Sequence, residues 1–264
     1  MKKHVNGTEL FVQDQGQGAA VILLHGFPLD HRMWQAQVES LSSHYRVIAP
    51  DFRGMGQSSI PVSPMSLTNY AQDILALMDE LGIEKATLGG FSMGGYVAFA
   101  LLRLAPERFS GLILANTRPE PDGQEGRKNR MNMAVSLYDK GAAAARDAML
   151  PKLVTATTLQ EQPQLVDSLK LIMDSMPAEG LVHASIAMAF RDDSVPLLST
   201  ISVPTLVIAG EQDAIAPPDV MKSMADHIQG ASYHVIPAAS HLTPMEKPDV
   251  FNALLLNFLK GIKA

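Results

Sequence analysis

Five short apolar runs, at positions 20–25, 45–50, 86–91, 111–115 and 204–209, constrain this chain more than any other feature. Each is apolar on both faces of an extended strand. Several are followed by stretches with helical spacing, at 31–43, 66–81 and 94–105. A strand that is apolar on both faces must be covered on both, and intervening helices let successive strands run parallel. The pattern predicts an α/β fold with a mostly parallel sheet between helices. The first fourteen residues read differently, as two alternating runs around Asn6-Gly7, a favoured pair for a tight hairpin turn.

Between about Thr117 and Pro196 the strand rhythm stops. Helical stretches at 127–139, 142–149, 164–176 and 178–191 replace it, and strands resume at Pro204. We expect residues 1–117 and 197–264 to form one core, with 118–196 inserted as a helical cap, or lid, where the strands end. A chain of 264 residues suffices for one such domain.

A formal net charge of -6 offers no basic footprint for nucleic acid or an anionic membrane. With no cysteine, disulfides, thiolate metal sites and a cysteine nucleophile are excluded. The start MKKHVNGTEL is basic but lacks the apolar stretch of a signal peptide. No segment approaches the roughly 18 uninterrupted apolar residues of a membrane span. These features predict a cytoplasmic protein whose partner is a small molecule, with no nucleic acid and no membrane; a homo-oligomer is compatible with them.

The stretch GGFSMGG at 89–95 lies where the run 86–91 ends and a helix begins. A serine hydroxyl becomes a nucleophile only when a base takes its proton, so it must project from the scaffold. A sharp strand-to-helix turn projects Ser92. Side chains two residues to either side would collide across such a bend; Gly90 and Gly94 remove them, and Gly95 lets the helix approach the sheet. GxSxG alone arises by chance in roughly one chain in ten of this length, so its weight comes from this strand-turn-helix setting. A phosphate loop is excluded because no lysine follows the glycines.

Of eight histidines, His4, His44, His183, His227 and His234 lie in or beside regular elements without a supporting pattern. His241 instead follows the strand-like run 232–236 and a turn, before the last helix. It is the candidate base. Asp213, in GEQD just past the run 204–209, is the candidate acid to orient the imidazole. Most aspartates so placed merely cap turns, and Glu211 competes; Asn116, one strand earlier, carries no charge. Two backbone amides are needed for a developing oxyanion, and Met93 and Phe27 supply them, since Pro28 has no N–H. His25 is assigned a structural hydrogen bond. Asp51, Arg53 and the glycines at 54 and 56 read as a structural turn rather than a dinucleotide site, because position 59 is serine and Pro61 and Pro64 break the receiving helix.

Through HGFP at 25–28, DFRGMGQS at 51–58, GGFSMGG at 89–95, GEQDAIAP at 210–217 and SHLTPMEKP at 240–248, in that order, the chain resembles the α/β-hydrolase superfamily. The resemblance covers nearly the whole length. It implies an eight-stranded, mostly parallel sheet, a helical cap after the sixth strand, and hydrolysis without cofactor or metal. It also implies a serine rather than an aspartate nucleophile, hence a carboxylic ester hydrolase working through an acyl-enzyme. FSMGG resembles the cofactor-free haloperoxidases and perhydrolases. Asn116-Thr117 with Glu125-Gly126-Arg127 resembles the 3-oxoadipate enol-lactonases, and a C–C bond hydrolase or a ligand-binding receptor shares the fold. Met131, Met133, Met149, Met173, Met176 and Met188 are candidates for an adaptable acyl pocket, against ordinary packing at helical spacing.

Overall fold

A computed structural model describes residues 1–262, so the last two positions of the expected core lie outside the described residues. Strands β1 (Lys2–Val5) and β2 (Thr8–Gln15) form the hairpin, with Asn6 and Gly7 at φ 48° and 71°, the left-handed values of a two-residue turn. Six more strands follow: β3 (Ala20–Leu24), β4 (Arg46–Pro50), β5 (Ala86–Phe91), β6 (Phe109–Ala115), β7 (Thr205–Gly210) and β8 (Ser232–Ile236). All eight join in one sheet, ordered β1-β2-β4-β3-β5-β6-β7-β8. β2 pairs antiparallel with β1 and β4, and the remaining pairings are parallel. β6 begins two residues earlier than its apolar run, because Phe109 pairs with Ala86 across a register shift.

The order explains the composition of the strands. β5 and β7 are buried along their whole length, whereas β8, at the edge, exposes Ser232, His234 and Val235. Central parallel strands need cover on both faces, and an edge strand does not. Helix α1 (Gln35–Leu41) follows a tight single turn at His31–Trp34, which splits the expected helix 31–43. Helix α2 (Leu67–Glu80) starts at Ser66, whose hydroxyl accepts from the Asn69 amide while the Asn69 side chain accepts from the Ser66 amide. Helix α3 (Met93–Leu104) leaves β5 directly at Ser92 and packs against α2.

Between β6 and β7 the chain is helical: α4 (Gln124–Lys140), α5 (Ala143–Leu153), α6 (Ala156–Glu161), α7 (Pro163–Asp174), α8 (Ala178–Ala189) and α9 (Val195–Leu198). The short α6 and α9 were not expected; four to six residues are too few to show a helical period. This block sits hard against the strand-end loops. A Cβ built on Gly180 of α8 would lie 1.6 Å from the Gly54 carbonyl oxygen, a backbone contact that only glycine permits. The Arg191 guanidinium lies 4.3 Å over the Tyr96 ring of α3. After β7 come α10 (Pro218–Asp226), then α11 (Thr243–Glu246) and α12 (Pro248–Lys260), which packs on α1. Among the described residues, no helix is long and apolar enough to cross a membrane.

Candidate active site

Ser92 occupies the bend between β5 and α3 at φ 51°, ψ -114°, a backbone conformation that a non-glycine residue adopts only under constraint. The constraint is visible. The Ser92 amide donates to the Ala115 carbonyl at 3.0 Å, and its own carbonyl accepts from the Gly95 amide and the Thr117 hydroxyl. A Cβ on Gly94 would sit 2.2 Å from the Leu24 carbonyl oxygen, and one on Gly90 would meet Gly94 backbone at 2.6 Å. Gly90 thus leaves room for the start of α3, and Gly94 lets α3 press against the end of β3. The side chain of Ser92 is half-buried, so its hydroxyl remains accessible.

His241 and Asp213 come to the same place from the loops after β8 and β7. Ser92 Oγ donates to His241 Nε2 at 2.9 Å, and His241 Nδ1 donates to Asp213 Oδ2 at 2.8 Å. Both the imidazole and the carboxylate are buried. Asp213 Oδ1 accepts from the amides of Ile215 and Ala216, and Oδ2 also accepts from Asn116 Nδ2 at 2.9 Å. Burial by itself would raise the Asp213 pKa, but the His241 charge and these hydrogen bonds outweigh it and hold the carboxyl below its ordinary value. Such a chain can take a proton from a hydroxyl and keep the resulting imidazolium paired with a fixed carboxylate.

Sequence reasoning missed the partners of the acid. As a candidate for the acid, Asn116 is only an uncharged rival in the sequence, yet it donates to Asp213 and its own carbonyl accepts from Thr243 Oγ1. Asn116 sits at φ 46°, in the left-handed region. Glu211, the other rival, points away: its Oε2 accepts from the Ala238 amide in an exposed turn.

Phe27 follows a glycine whose added Cβ would lie 3.2 Å from Ser92 Cβ, so the chain at 26–27 passes directly beside the hydroxyl. Met93 is the first residue of α3, where an amide has no partner within the helix. His25 holds the 25–28 loop from below. Its Nδ1 donates to the Gly26 carbonyl and its Nε2 accepts from the Phe52 amide, each at 3.0 Å, and burial holds its pKa down. Asp51 is the anchor of the neighbouring turn, accepting from His31 Nδ1 and from the amides of His31 and Gln57. Asp30, His31 and Asp51 lie close enough to share a cation, but Asp30 is occupied by Arg32 and Asp51 by those three donors. That cluster is already saturated without one.

A cleft of about 390 Å³ opens between these loops and the helical block, lined among others by Phe27, Ile215, Arg130, Met133, Met149 and Lys152. Of the six methionines considered for a pocket, Met133 and Met149 line this cleft. Met173, Met176 and Met188 are buried in packing, and Met131 faces solvent.

Comparison with known proteins bears on this geometry. Residues 19–248 match the family model described as alpha/beta hydrolase fold. A 3-oxoadipate enol-lactonase of Acinetobacter baylyi is 33% identical, over 97% of this chain and 95% of its own. A thermophilic esterase of Thermogutta terrifontis, solved with malate bound, superposes with a TM-score of 0.95 at 40% identity, covering 98% of this chain and 97% of that one. The enol-lactonase of Burkholderia xenovorans superposes with a TM-score of 0.92 at 33% identity, covering 98% of this chain and all of that one.

Proposed function

The chain belongs to the alpha/beta-hydrolase family and is a hydrolase of ester-type bonds, and from that premise we propose that it is a serine carboxylic ester hydrolase acting on small esters through an acyl-enzyme. The observation that carries this reading is the unbroken hydrogen-bonded chain from Ser92 Oγ through His241 to Asp213. Ser92 attacks the ester carbonyl carbon while His241 Nε2 takes the hydroxyl proton. The tetrahedral oxyanion faces the amides of Phe27 and Met93, where each donor in such a site is worth about 10²–10³ in rate. His241 returns the proton to the departing alcohol, and water then cleaves the acyl-enzyme with His241 as base. Asp213 keeps the imidazole oriented and its charge paired. The helices of 118–196 act as the cap over this site, and the cleft beside Phe27 receives the acyl group.

Lactone hydrolysis is the second reading, favoured by the two enol-lactonase relatives and by Lys152 in the cleft, which suits a substrate with a free carboxylate; Arg130 lines the same cleft but is paired with Asp122 at 3.2 Å. The bond cleaved is the same, and only the substrate differs. Steady turnover of short p-nitrophenyl esters, lost in Ser92→Ala by at least about 10⁴-fold, tests the mechanism. One labelling event per chain without turnover would instead mean a receptor of this fold. A panel of simple esters, enol-lactones and β-diketones then separates ester, lactone and C–C hydrolysis; a preference above about 100-fold, some 2.7 kcal/mol of barrier, decides the class.

A further inference from the structure

Glu246, at the end of α11, is buried, and all three of its partners are neutral donors. Its Oε1 accepts from the Thr155 amide at 2.8 Å and the Thr158 hydroxyl at 2.7 Å, where α6 begins in the cap. Its Oε2 accepts from the Ser240 amide at 2.7 Å, one residue before His241. On the other side of His241, the Leu242 amide donates to the Leu153 carbonyl at 2.7 Å. The histidine is therefore bracketed by two ties to the same stretch of cap, residues 153–158.

Burying a carboxylate is costly unless donors satisfy both oxygens, and a neutral amide of the same shape could not replace it. Glutamine offers one oxygen, so its NH₂ would confront either the Ser240 amide or the two donors of the cap. We propose that Glu246 is a positioning residue that fastens the His241 loop to residues 153–158 and thereby sets the Nε2 to Oγ distance on which proton transfer depends. Glu246 acts through Ser240 and touches no reacting atom. The root of the cap and the base of the relay then move together, so this part of the cap does not lift as an independent lid. The inference rests on the serine hydrolase reading.

The test is Glu246→Gln in the full chain, with p-nitrophenyl acetate turnover, Ser92 labelling by a fluorophosphonate, and amide hydrogen exchange at Ser240 and Leu242. We expect kcat to fall about tenfold or more with KM within about twofold, labelling to slow in proportion, and both amides to exchange faster. Parent-like kcat and labelling in a folded variant overturn the proposal, as does a rise in KM alone. Should Glu246→Gln not fold, Thr158→Val, which removes one cap donor, decides by the same measurements: kcat lowered about threefold at unchanged KM supports the proposal, and parent-like kcat overturns it. A parent protein that neither turns over nor labels counts against the hydrolase reading instead, and the exchange at Ser240 and Leu242 in the variants then judges the tie by itself.

Discussion

Ser92 and His241 meet at 2.9 Å, but the chain brings them there by different means. The bend at Ser92 is cleared by Gly90 and Gly94, within its own short stretch, and locked by contacts of backbone on backbone with Leu24 and Ala115. The loop at His241 has no such local device. It hangs from Asp213, 28 residues away, and from Asn116 through the Ser240 carbonyl, 124 residues away; Glu246 ties it across to Thr155, 91 residues distant from that carboxylate. Excluded volume within its own stretch shapes the Ser92 bend, with hydrogen bonds to Ala115 and Thr117 added, whereas the His241 loop depends on buried polar groups from distant segments and on Gly210, where an added Cβ would lie 1.9 Å from the Ser240 carbonyl oxygen. The first fails when an atom is added within the bend, and the second when a distant donor or acceptor is taken away.

The largest effect should come from the second kind of failure. Asp213→Asn keeps the shape but removes the charge and favours the wrong imidazole tautomer, so kcat for ester hydrolysis should fall about 10⁴-fold with the far-ultraviolet circular dichroism unchanged. A loss below about tenfold would mean that His241 is oriented by its other ties and that the contrast is drawn too sharply. Gly94→Ala tests the first kind. Its methyl group would lie 2.2 Å from a backbone oxygen that has nowhere to go, so α3 must shift relative to β3. Displacing the hydroxyl by about 1 Å should cost roughly 100-fold in kcat/KM, and overpacking about 1–3 kcal/mol in stability by urea denaturation. Unchanged activity in that variant would show that the bend has slack.

His25 gives the smallest effect and lies between the two cases, a local histidine holding a distant amide. Burial keeps its folded pKa below the ordinary 6.5, so the unfolded chain takes up a proton there that the folded chain refuses. The contribution to stability is complete above that value and is lost as the pH falls below it toward the folded pKa, by no more than about 1.4 kcal/mol per pH unit. His25→Asn should therefore start less stable near pH about 7.5 yet lose less on acidification to about 5.5, as followed by thermal unfolding. An identical slope in both proteins would remove His25 from the account of acid lability.

The same contrast explains which features could be read before any coordinates. The strands announced themselves because burial on both faces demands apolar residues at every position, and β5 coincides with its run from Ala86 to Phe91. The serine turn announced itself because its geometry excludes side chains, and an excluded side chain is a glycine in the sequence. Asn116 gave no such notice. An asparagine after a strand looks like any turn residue, and its value comes from Asp213 and Thr243 converging on it. Nothing in the sequence singles out Glu246 either, until Thr155, Thr158 and Ser240 are seen around it.

Local sterics and burial are written in neighbouring residues, so the amino-acid sequence by itself determined the layered α/β architecture, the helical segment between β6 and β7, and the bend that presents Ser92. Tertiary structure alone decided that Asn116 donates to Asp213 and that Thr155 and Thr158 donate to Glu246, which methionines border the cleft, and how closely α8 approaches the loop at Gly54. Those outcomes depend on hydrogen bonds and contacts between segments whose separation along the chain carries no local signature. Only the folded backbone brings them within reach.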